Sequence, residues 1–340
     1  MPHTFVSQLR EGMAVQQYFV VRQAEERLTQ HGKPYLNLQL ADRTGIIRAK
    51  LWSEALREYP GPFRVGDYVG VVGFVRAYQG EPEITIQKIW TLDQIKQKKD
   101  LVNEEPKDFD LNLLHATTPH DREKMWQDLL TLANEALTPP LRDLVLNLLQ
   151  ANATAWQSQP AARRNHHAYV GGLLEHTWCV ARLAQQIAAI YPDIHQELVV
   201  AGAILHDVGK LKELGQPHAP DYTVAGQLLG HIVLGWEMIR QEAANLSFPD
   251  EKLLLQLEHI VLTHHGQQEF GSPVLPKTRE ALLVYYADDL DAKLKIMEQH
   301  LQADTSEREF TPYHRLLQRE LYKIGRETEP PATEAEPPAE

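Results

Sequence analysis

Hydrophobic and polar residues alternate along the chain between residues 14 and 90. Apolar side chains at every second position indicate β-strands with one buried face. Turn-forming residues separate the alternating segments at 31–34 (HGKP), 42–45 (DRTG) and 78–83 (YQGEPE). The pattern predicts five strands, AVQQYFVVRQAEERLT, YLNLQL, IIRAKLW, DYVGVVGFVRAY and EITIQKIW.

A short helical segment, SEALREY at 53–59, lies between the third and fourth predicted strands. Five strands with a helix after the third follow the order of an OB-fold barrel. We therefore predict that residues 1–92 form a five-stranded OB-fold domain that binds nucleic acid.

The hydrophobic period changes further along the chain. Residues 93–120 are polar and charged, with KQKKD and NEEPKDFD, and we expect a linker there. Beyond it, apolar residues recur every three to four positions, which predicts helices and an all-α bundle over 121–325. The remainder, 326–340, is rich in Glu and Pro, and residues 327–340 contain no basic residue, so we expect a disordered acidic tail.

Composition and charge indicate which kinds of partner the chain can bind. The 340 residues carry a net charge of -12, but the first hundred hold a slight excess of basic residues. A polyanion is therefore expected to bind the N-terminal part. Cys179 is the single cysteine, and neither a leader-like segment nor an apolar run of about 18 residues is present. We expect a cytoplasmic protein with no membrane partner.

Histidines and aspartates occupy positions in the helical region where the apolar pattern points inward. A single histidine there is usually a core residue with a hydrogen-bond partner, but seven such residues on several predicted helices indicate a metal site. Imidazole nitrogen and carboxylate oxygen suit Mn²⁺, Fe²⁺, Co²⁺, Ni²⁺ or Zn²⁺. Binding a cation also offsets the cost of burying these groups. The candidates are His176, His206, Asp207, His231, His264, His265 and Asp288.

Four of these residues resemble the pattern of the HD-domain metal-dependent phosphohydrolases, a first His, a His-Asp pair and a distant Asp. The matching positions are His176, His206 with Asp207, and Asp288. The three other histidines resemble the second-metal ligands of dinuclear members such as the HD-GYP phosphodiesterases. However, HHGQQEFGSP at 264–273 contains no Gly-Tyr-Pro and departs from that subgroup.

A second resemblance covers nearly the whole chain. An OB fold followed by HHAYVGGLLEHT, AGAILHDVGK, YTVAGQLLGHIVLG, HHGQQEFGSP and DDLDAK resembles the YhaM family of 3′-5′ exoribonucleases. This resemblance implies an exonuclease, favouring Mn²⁺, that trims single-stranded RNA from the 3′ end and often accepts single-stranded DNA. A homo-oligomer is compatible with the sequence.

The ligand set allows two ions. We assign His176, His206, Asp207 and Asp288 to one ion, and Asp207, His231, His264 and His265 to the other. Two ions would ionise a shared water that attacks phosphorus in line, releasing nucleoside 5′-monophosphates. Asp207 is thus the central catalytic candidate. Lys210 either contacts the scissile phosphate or complements a helix C-terminus, and Glu175 and Asp291 are candidates for orienting imidazoles.

Binding a single strand requires aromatic faces for the bases and cations for the phosphates. Tyr35, Trp52, Phe74 and Tyr78 lie on or beside predicted strands, and alternation predicts that about half of them are core residues. Lys33 and Arg76 are the candidates for phosphate contacts in the barrel. In the helical region, Phe270 and Ser272 either hold the 3′-terminal nucleotide or belong to a structured turn.

Two other functions are compatible with these residues. One is an HD-type phosphodiesterase or phosphohydrolase that acts on nucleotides or cyclic dinucleotides. The other is a nucleic-acid-binding protein whose metal sites are structural or vestigial. The full ligand set disfavours the second, and a strand-binding barrel has little use in a mononucleotide enzyme, although this argument rests on fold analogy. The exoribonuclease is therefore the favoured hypothesis.

Overall fold

The computed structural model describes residues 3–99, 101, 106–163, 167–216 and 219–323. The expected acidic tail at 326–340 lies outside these residues. Five strands form the N-terminal barrel. They are β1 (Ala14–Leu28), β2 (Pro34–Asp42), β3 (Gly45–Leu51), β4 (Tyr68–Tyr78) and β5 (Glu81–Thr91).

The barrel closes in the order β1-β2-β3-β5-β4. Strands β3 and β5 pair in parallel, and the other pairs are antiparallel. The short helix α1 (Ser53–Glu58) follows β3. A 3-10 turn, Val6–Gln8, precedes β1. The predicted five-stranded OB fold with a helix after the third strand is thus confirmed.

Alternation along the strands fills the barrel with aliphatic side chains. Val69, Val71 and Val75 of β4 point inward, and the core also contains Phe19 and Phe63. The expectation that about half of the four candidate aromatics would be core residues is wrong. Trp52 and Tyr78 are 41% and 46% exposed, and Tyr35 and Phe74 are half-buried. The inward positions of the barrel are occupied by other side chains, among them Phe19, Leu38 and Val75.

The segment predicted as a linker contains two short helices, α2 (Leu92–Lys98) and α3 (Leu111–Leu114). Thr91 caps α2 by accepting a hydrogen bond from the Gln94 backbone N–H. Leu92 and Leu114 form a small apolar cluster with residues on the outside of β1. The described parts of this segment therefore pack against the barrel, and the proposed domain boundaries remain a prediction.

Helices dominate the C-terminal region, as the three-to-four spacing predicts. They are α4 (Arg122–Ala136), α5 (Leu141–Ala151), α6 (Ala153–Ser158), α7 (Gly172–Ala188), α8 (Gln196–Leu205), α9 (Lys210–Glu213), α10 (Val224–Asn245), α11 (Glu251–Thr263) and α12 (Arg279–Ala303), with a 3-10 turn at Gln268–Phe270. The expectation that this region is all helical is wrong in one place. A two-stranded hairpin, β6 (Leu214–Gln216) and β7 (Ala219–Tyr222), joins α9 to α10.

Helix α8 lies at the centre of the helical region. Every residue from Leu198 to Leu205 is buried, and α7, α11 and α12 pack around it. A helix whose last eight residues are apolar all round requires such surroundings. Among the described residues, the helices are too short or too polar to cross a membrane.

Candidate metal centre and nucleic-acid surface

The ends of the central helices place the candidate ligands. Helix α8 ends at Leu205, so His206 and Asp207 lie in the turn before α9 and not within a continuous helix. His264 and His265 follow the last residue of α11 in the same way. His176, His231 and Asp288 project from α7, α10 and α12.

A glycine allows α10 to approach the His-Asp turn. A Cβ atom on Gly209 would lie 1.9 Å from the His231 carbonyl oxygen and 2.5 Å from the Gly235 nitrogen. Those distances are far below van der Waals contact. The hydrogen of Gly209 therefore permits backbone contact that brings His231 close to Asp207.

Asp207 is the centre of the cluster, and its two oxygens face different histidines. Oδ2 lies 3.4 Å from Nε2 of both His176 and His206. Oδ1 lies 3.6 Å from Nε2 of both His231 and His264. One carboxylate between two pairs of imidazoles is the arrangement of a ligand that bridges two cations.

The histidine rings are oriented by hydrogen bonds on the side away from Asp207. In each of five rings, Nδ1 faces an oxygen that can only accept a hydrogen bond, so Nδ1 carries a proton and Nε2 is the nitrogen left to face the cluster. Such outer partners are typical of metal-binding histidines. His176 Nδ1 lies 2.7 Å from Asp291 Oδ2, His206 Nδ1 2.8 Å from the Ala203 carbonyl, His264 Nδ1 2.7 Å from the Val261 carbonyl, His265 Nδ1 2.7 Å from the Phe270 carbonyl, and His231 Nδ1 3.1 Å from Glu213 Oε1.

The residues fit divalent cations. Asp207 Oδ1 and the Nε2 atoms of His231 and His264 are buried and have no hydrogen-bond partner among the described residues. Leaving buried polar atoms unpaired is unfavourable. In addition, the Nε2 atoms of His176 and His206 face each other at 3.2 Å. A cation bound by these atoms removes both problems.

Two sets of ligand atoms are close enough to share an ion. Ligand atoms of His176, His206 and Asp288 lie within 4.8 Å of one another, and so do those of His231, His264 and His265. Asp288 Oδ1 is 3.1 Å from His176 Nε2. All seven residues predicted as ligands are thus brought together, in the two groups expected from the sequence.

The electrostatics favour the protonation states of ligands. Burial and the neighbouring His264 and His231 lower the pKa of His265 to about 3, and burial lowers the pKa of His264. Burial by itself raises the pKa of Asp207, but Lys210 and His206 outweigh it and hold that pKa well below its usual range. These imidazoles are therefore neutral and the carboxylate is charged near pH 7.

His176 behaves differently. Burial lowers its pKa, but hydrogen bonds to Asp288 and Asp291 outweigh burial and raise the pKa to about 10. A metal ion and a proton compete for the same Nε2 lone pair. A cation at this position therefore takes the place of a proton that the two carboxylates otherwise retain.

Lys210 is buried, and its Nζ lies 2.6 Å from Asp207 Oδ2. It begins the four-residue helix α9 and so also lies in the last turn of that helix, and the alternative role of complementing a helix C-terminus stays a prediction. The ammonium balances the charge of the central carboxylate. Contact with a phosphate stays a prediction.

The two residues expected to orient imidazoles differ. Asp291 Oδ2 lies 2.7 Å from His176 Nδ1 and 2.9 Å from His167 Nε2, so it holds a candidate ligand directly. Glu175 lies further out, where its Oε2 accepts a hydrogen bond from the Tyr169 hydroxyl and its Oε1 lies 3.0 Å from Lys295 Nζ.

Sequence reasoning missed several of these outer partners. Glu213, Tyr169 and Lys295 lie far from their partners in sequence or in a loop, where the apolar periodicity gives no information. His167 and Tyr169 do stand inside the motif HHAYVGG, which directs attention to that loop.

The loop after α11 separates the two residues proposed for the 3′-terminal nucleotide. The Phe270 ring is 61% exposed, while its carbonyl accepts the hydrogen bond from His265. Ser272 is buried, and its hydroxyl has no partner among the described residues. Phe270 is thus available for stacking beside the metal cluster, whereas Ser272 is hidden within the turn.

On the barrel, aromatic rings surround Lys50, which was not among the candidates for phosphate contacts chosen from the sequence. The Tyr35 and Trp52 rings lie 5.0 Å apart. Lys50 Nζ lies 5.6 Å from the Trp52 ring and 4.1 Å from the Tyr78 ring, and it also pairs with Glu83 at 3.1 Å. We name Tyr35, Lys50, Trp52 and Tyr78 the aromatic surface.

The two basic candidates lie at different places. Lys33 is exposed in the turn between β1 and β2, and the Arg76 guanidinium lies over the Phe74 ring at 4.6 Å. The strand 2–3 face and the β1–β2 and β4–β5 loops are where OB folds bind strands. The aromatic surface occupies this region.

Two family models match separate parts of the chain. The family described as HD domain matches residues 173–293, and the family described as OB-fold nucleic acid binding domain matches residues 20–92. The second OB-fold domain of replication protein A from Methanococcus maripaludis matches 26% of this chain and 94% of its own, with 25% identity and a TM-score of 0.22.

Two relatives match most of the chain. The 3′-5′ exoribonuclease YhaM of Halalkalibacterium halodurans is 35% identical over 294 residues, which cover 86% of this chain and 87% of the relative. The protein of the same name from Bacillus subtilis is 33% identical over 291 residues, covering 86% and 88%.

Proposed function

Because this chain belongs to the YhaM family of 3′-5′ exoribonucleases, we propose that Asp207 and its surrounding histidines form the centre that hydrolyses the terminal linkage of single-stranded RNA. The chain is a metal-dependent exoribonuclease with an HD domain, and single-stranded nucleic acid is its partner. What we propose is which residues bind the metal and the RNA, how many ions bind, which metal they are and which products are released. One observation carries it, the convergence of imidazole Nε2 atoms on both oxygens of Asp207.

Two ions are proposed. One is held by His176, His206, Asp207 and Asp288, and the other by Asp207, His231, His264 and His265. Mn²⁺ is the proposed metal, since nitrogen and oxygen donors of this kind suit it, with Fe²⁺, Co²⁺, Ni²⁺ and Zn²⁺ as alternatives. When bound, such cations neutralise phosphate oxygens and lower the pKa of the attacking water.

The protein side chains supply position and charge around that chemistry. Asp207 divides its two oxygens between the ligand sets, and Lys210 holds one of those oxygens. Phe270 stacks on the 3′-terminal base next to His265. Ser272 is buried in the same turn, where it supports the loop that carries Phe270. The terminal nucleotide leaves as a 5′-monophosphate.

The barrel holds the strand that feeds this centre. Bases stack on Tyr35 and Trp52, and phosphates contact Lys33 and Arg76, because stacking and cations together bind single strands without sequence preference. Single-stranded DNA presents the same bases and phosphates, so we propose it as a second substrate. A homo-oligomer is also proposed, and sedimentation of the full chain tests it.

The experiment uses one RNA strand labelled at its 5′ end and, separately, at its 3′ end, with Mn²⁺ after removal of other metals. We expect a descending ladder from the 5′ label and immediate release of a labelled nucleoside 5′-monophosphate from the 3′ label. Asp207→Asn serves as the inactive control. Intact RNA together with cleavage of a cyclic dinucleotide would instead establish the phosphodiesterase alternative.

A further inference from the structure

Helix α10 is interrupted one residue before a candidate ligand. Gly230 has φ 71° and ψ 161°, a conformation essentially restricted to glycine, and His231 follows it. Residues that begin a helical segment lack intrahelical acceptors for their backbone N–H groups. The interruption therefore leaves the N–H of His231 available to a partner outside the helix.

That partner is the buried side chain of Glu213. Its Oε1 lies 3.0 Å from the His231 backbone nitrogen and 3.1 Å from His231 Nδ1. One carboxylate oxygen thus accepts two hydrogen bonds from the same residue, one from its backbone and one from its ring. This double contact fixes both the start of the helical segment and the direction of the imidazole.

We propose that Glu213 is a positioning residue that, together with the break at Gly230, sets the affinity of the second metal position separately from the first. The inference rests on the two-ion site proposed above. His231 belongs to the second ligand set only. The ligand rings of the first set are oriented by Asp291 and the Ala203 carbonyl, which are independent of Glu213.

The physical reason is that a carboxylate accepting from Nδ1–H keeps Nε2 directed at Asp207 Oδ1 and makes it more basic. Loss of an outer partner of this kind typically lowers metal affinity about 10- to 100-fold. The backbone N–H of His231 would also lose its acceptor. We therefore expect the second ion to be weakened selectively.

The test is a Mn²⁺ titration of the full chain after chelation, followed by calorimetry and by electron paramagnetic resonance of the spin-coupled ion pair. In Glu213→Ala, the first equivalent should bind as in the wild type, the second about 10- to 100-fold more weakly, and the coupled signal should be lost. Glu213→Gln keeps an acceptor oxygen and should restore part of the affinity.

Glu280→Ala is a matched control. Glu280 is 9% exposed, as Glu213 is, and its Oε1 also lies 3.0 Å from a histidine backbone nitrogen, that of His195. This variant should bind both equivalents normally. Gly230→Ala tests the same position through the backbone and should weaken the second equivalent while Glu213 is intact.

Circular dichroism shows whether each variant folds. If Glu213→Ala does not fold, the affinities of Glu213→Gln and Gly230→Ala for the second equivalent test the inference. Two equivalents bound with wild-type affinity by folded Glu213 and Gly230 variants would overturn the inference, even if RNA is degraded as proposed. A wild-type protein that degrades RNA with a single bound ion would overturn the two-ion assignment instead.

Discussion

The barrel and the helical domain place their candidate functional residues in opposite environments. In the barrel, Trp52 and Tyr78 lie on the exposed surface, over a largely aliphatic core. In the helical domain, His176, His206 and Asp207 lie at the buried end of the central helices. A nucleic-acid strand needs an open surface to bind, whereas a cation needs a buried site where neighbouring groups form hydrogen bonds with its ligands and orient them.

This difference separates binding from chemistry. A change on the barrel surface should alter affinity for RNA and leave hydrolysis of a small phosphodiester unchanged. A change in the buried centre should abolish hydrolysis of both RNA and the small phosphodiester, and it should leave binding of RNA by the barrel unchanged. The following variants test the separation, from the largest expected effect to the smallest.

Asp207→Asn should have the largest effect. It removes the charge shared by the two ligand sets while keeping the shape of the side chain. We expect the rates of RNA degradation and of bis(p-nitrophenyl) phosphate hydrolysis to fall more than about 100-fold. Loss of an outer hydrogen-bond partner typically costs about 10- to 100-fold, and loss of the central carboxylate should cost more. Initial rates at saturating Mn²⁺ measure it, and binding of RNA is compared by fluorescence anisotropy.

Asp289→Asn is the control for that variant, because Asp289 lies next to Asp288 but pairs with Lys293 on the surface. It should retain normal rates. Wild-type turnover by folded Asp207→Asn would remove the buried centre from the mechanism.

Asp291→Asn should have the next largest effect. Asp291 accepts from His176, and an amide at this position is a weaker acceptor that can also turn its NH₂ towards the ring. We expect about 10- to 100-fold weaker binding of the first Mn²⁺ equivalent, measured by calorimetry. Unchanged affinity for the first Mn²⁺ equivalent would show that His176 does not need Asp291 to orient its ring.

Trp52→Ala addresses the barrel. Stacking of one base on an aromatic ring contributes about 1–3 kcal/mol, so affinity for single-stranded RNA should fall roughly 5- to 150-fold. The rate on bis(p-nitrophenyl) phosphate should stay the same. Tyr191→Ala provides a control, since Tyr191 is an exposed aromatic residue beyond the far end of the helix that carries His176. Equal losses in both variants would contradict a specific role for the aromatic surface.

Arg76→Gln should have the smallest effect. Losing one phosphate contact weakens binding of all sequences alike and reduces the slope of log affinity against log salt by about one. A salt titration of RNA binding measures this slope. Arg57→Gln removes an exposed charge elsewhere on the barrel and should leave the slope nearly unchanged. A similar drop in both variants would indicate only a general effect of charge.

The sequence predicted the helices and strands well because each has a regular apolar face. Periodicity failed where a helix ends without a change in pattern. Val208 keeps the three-to-four apolar spacing past His206 and Asp207, yet α8 stops at Leu205, and Gly209 then allows contact with α10. The position of His206 and Asp207 in a turn depends on that contact.

The candidate metal ligands stand out in the sequence for a related reason. His206, Asp207 and His264 interrupt apolar stretches, and a polar residue in such a position needs a partner. Their outer partners had no comparable pattern. Glu213 reaches His231 only because a hairpin and a broken helix fold α10 back on α9.

The aromatic surface shows the same limit. Strand alternation identified Tyr35, Trp52 and Tyr78 as candidates, but it could not say which rings face solvent or that Lys50 lies between them. Strand pairing decided this, since Lys50 pairs with Asn37 on one side and Thr85 on the other. Side chains from three strands meet there only when the barrel closes.

The sequence by itself determined the two domains, their secondary structure and the seven candidate ligands, because periodicity and buried polar positions are local properties of the chain. Tertiary structure decided which oxygen of Asp207 faces which imidazole, which groups orient the rings, and which aromatics remain exposed. Those features are distances between residues far apart in sequence. They are fixed by helix ends, close glycine contacts and strand register, which arise only when the whole chain packs.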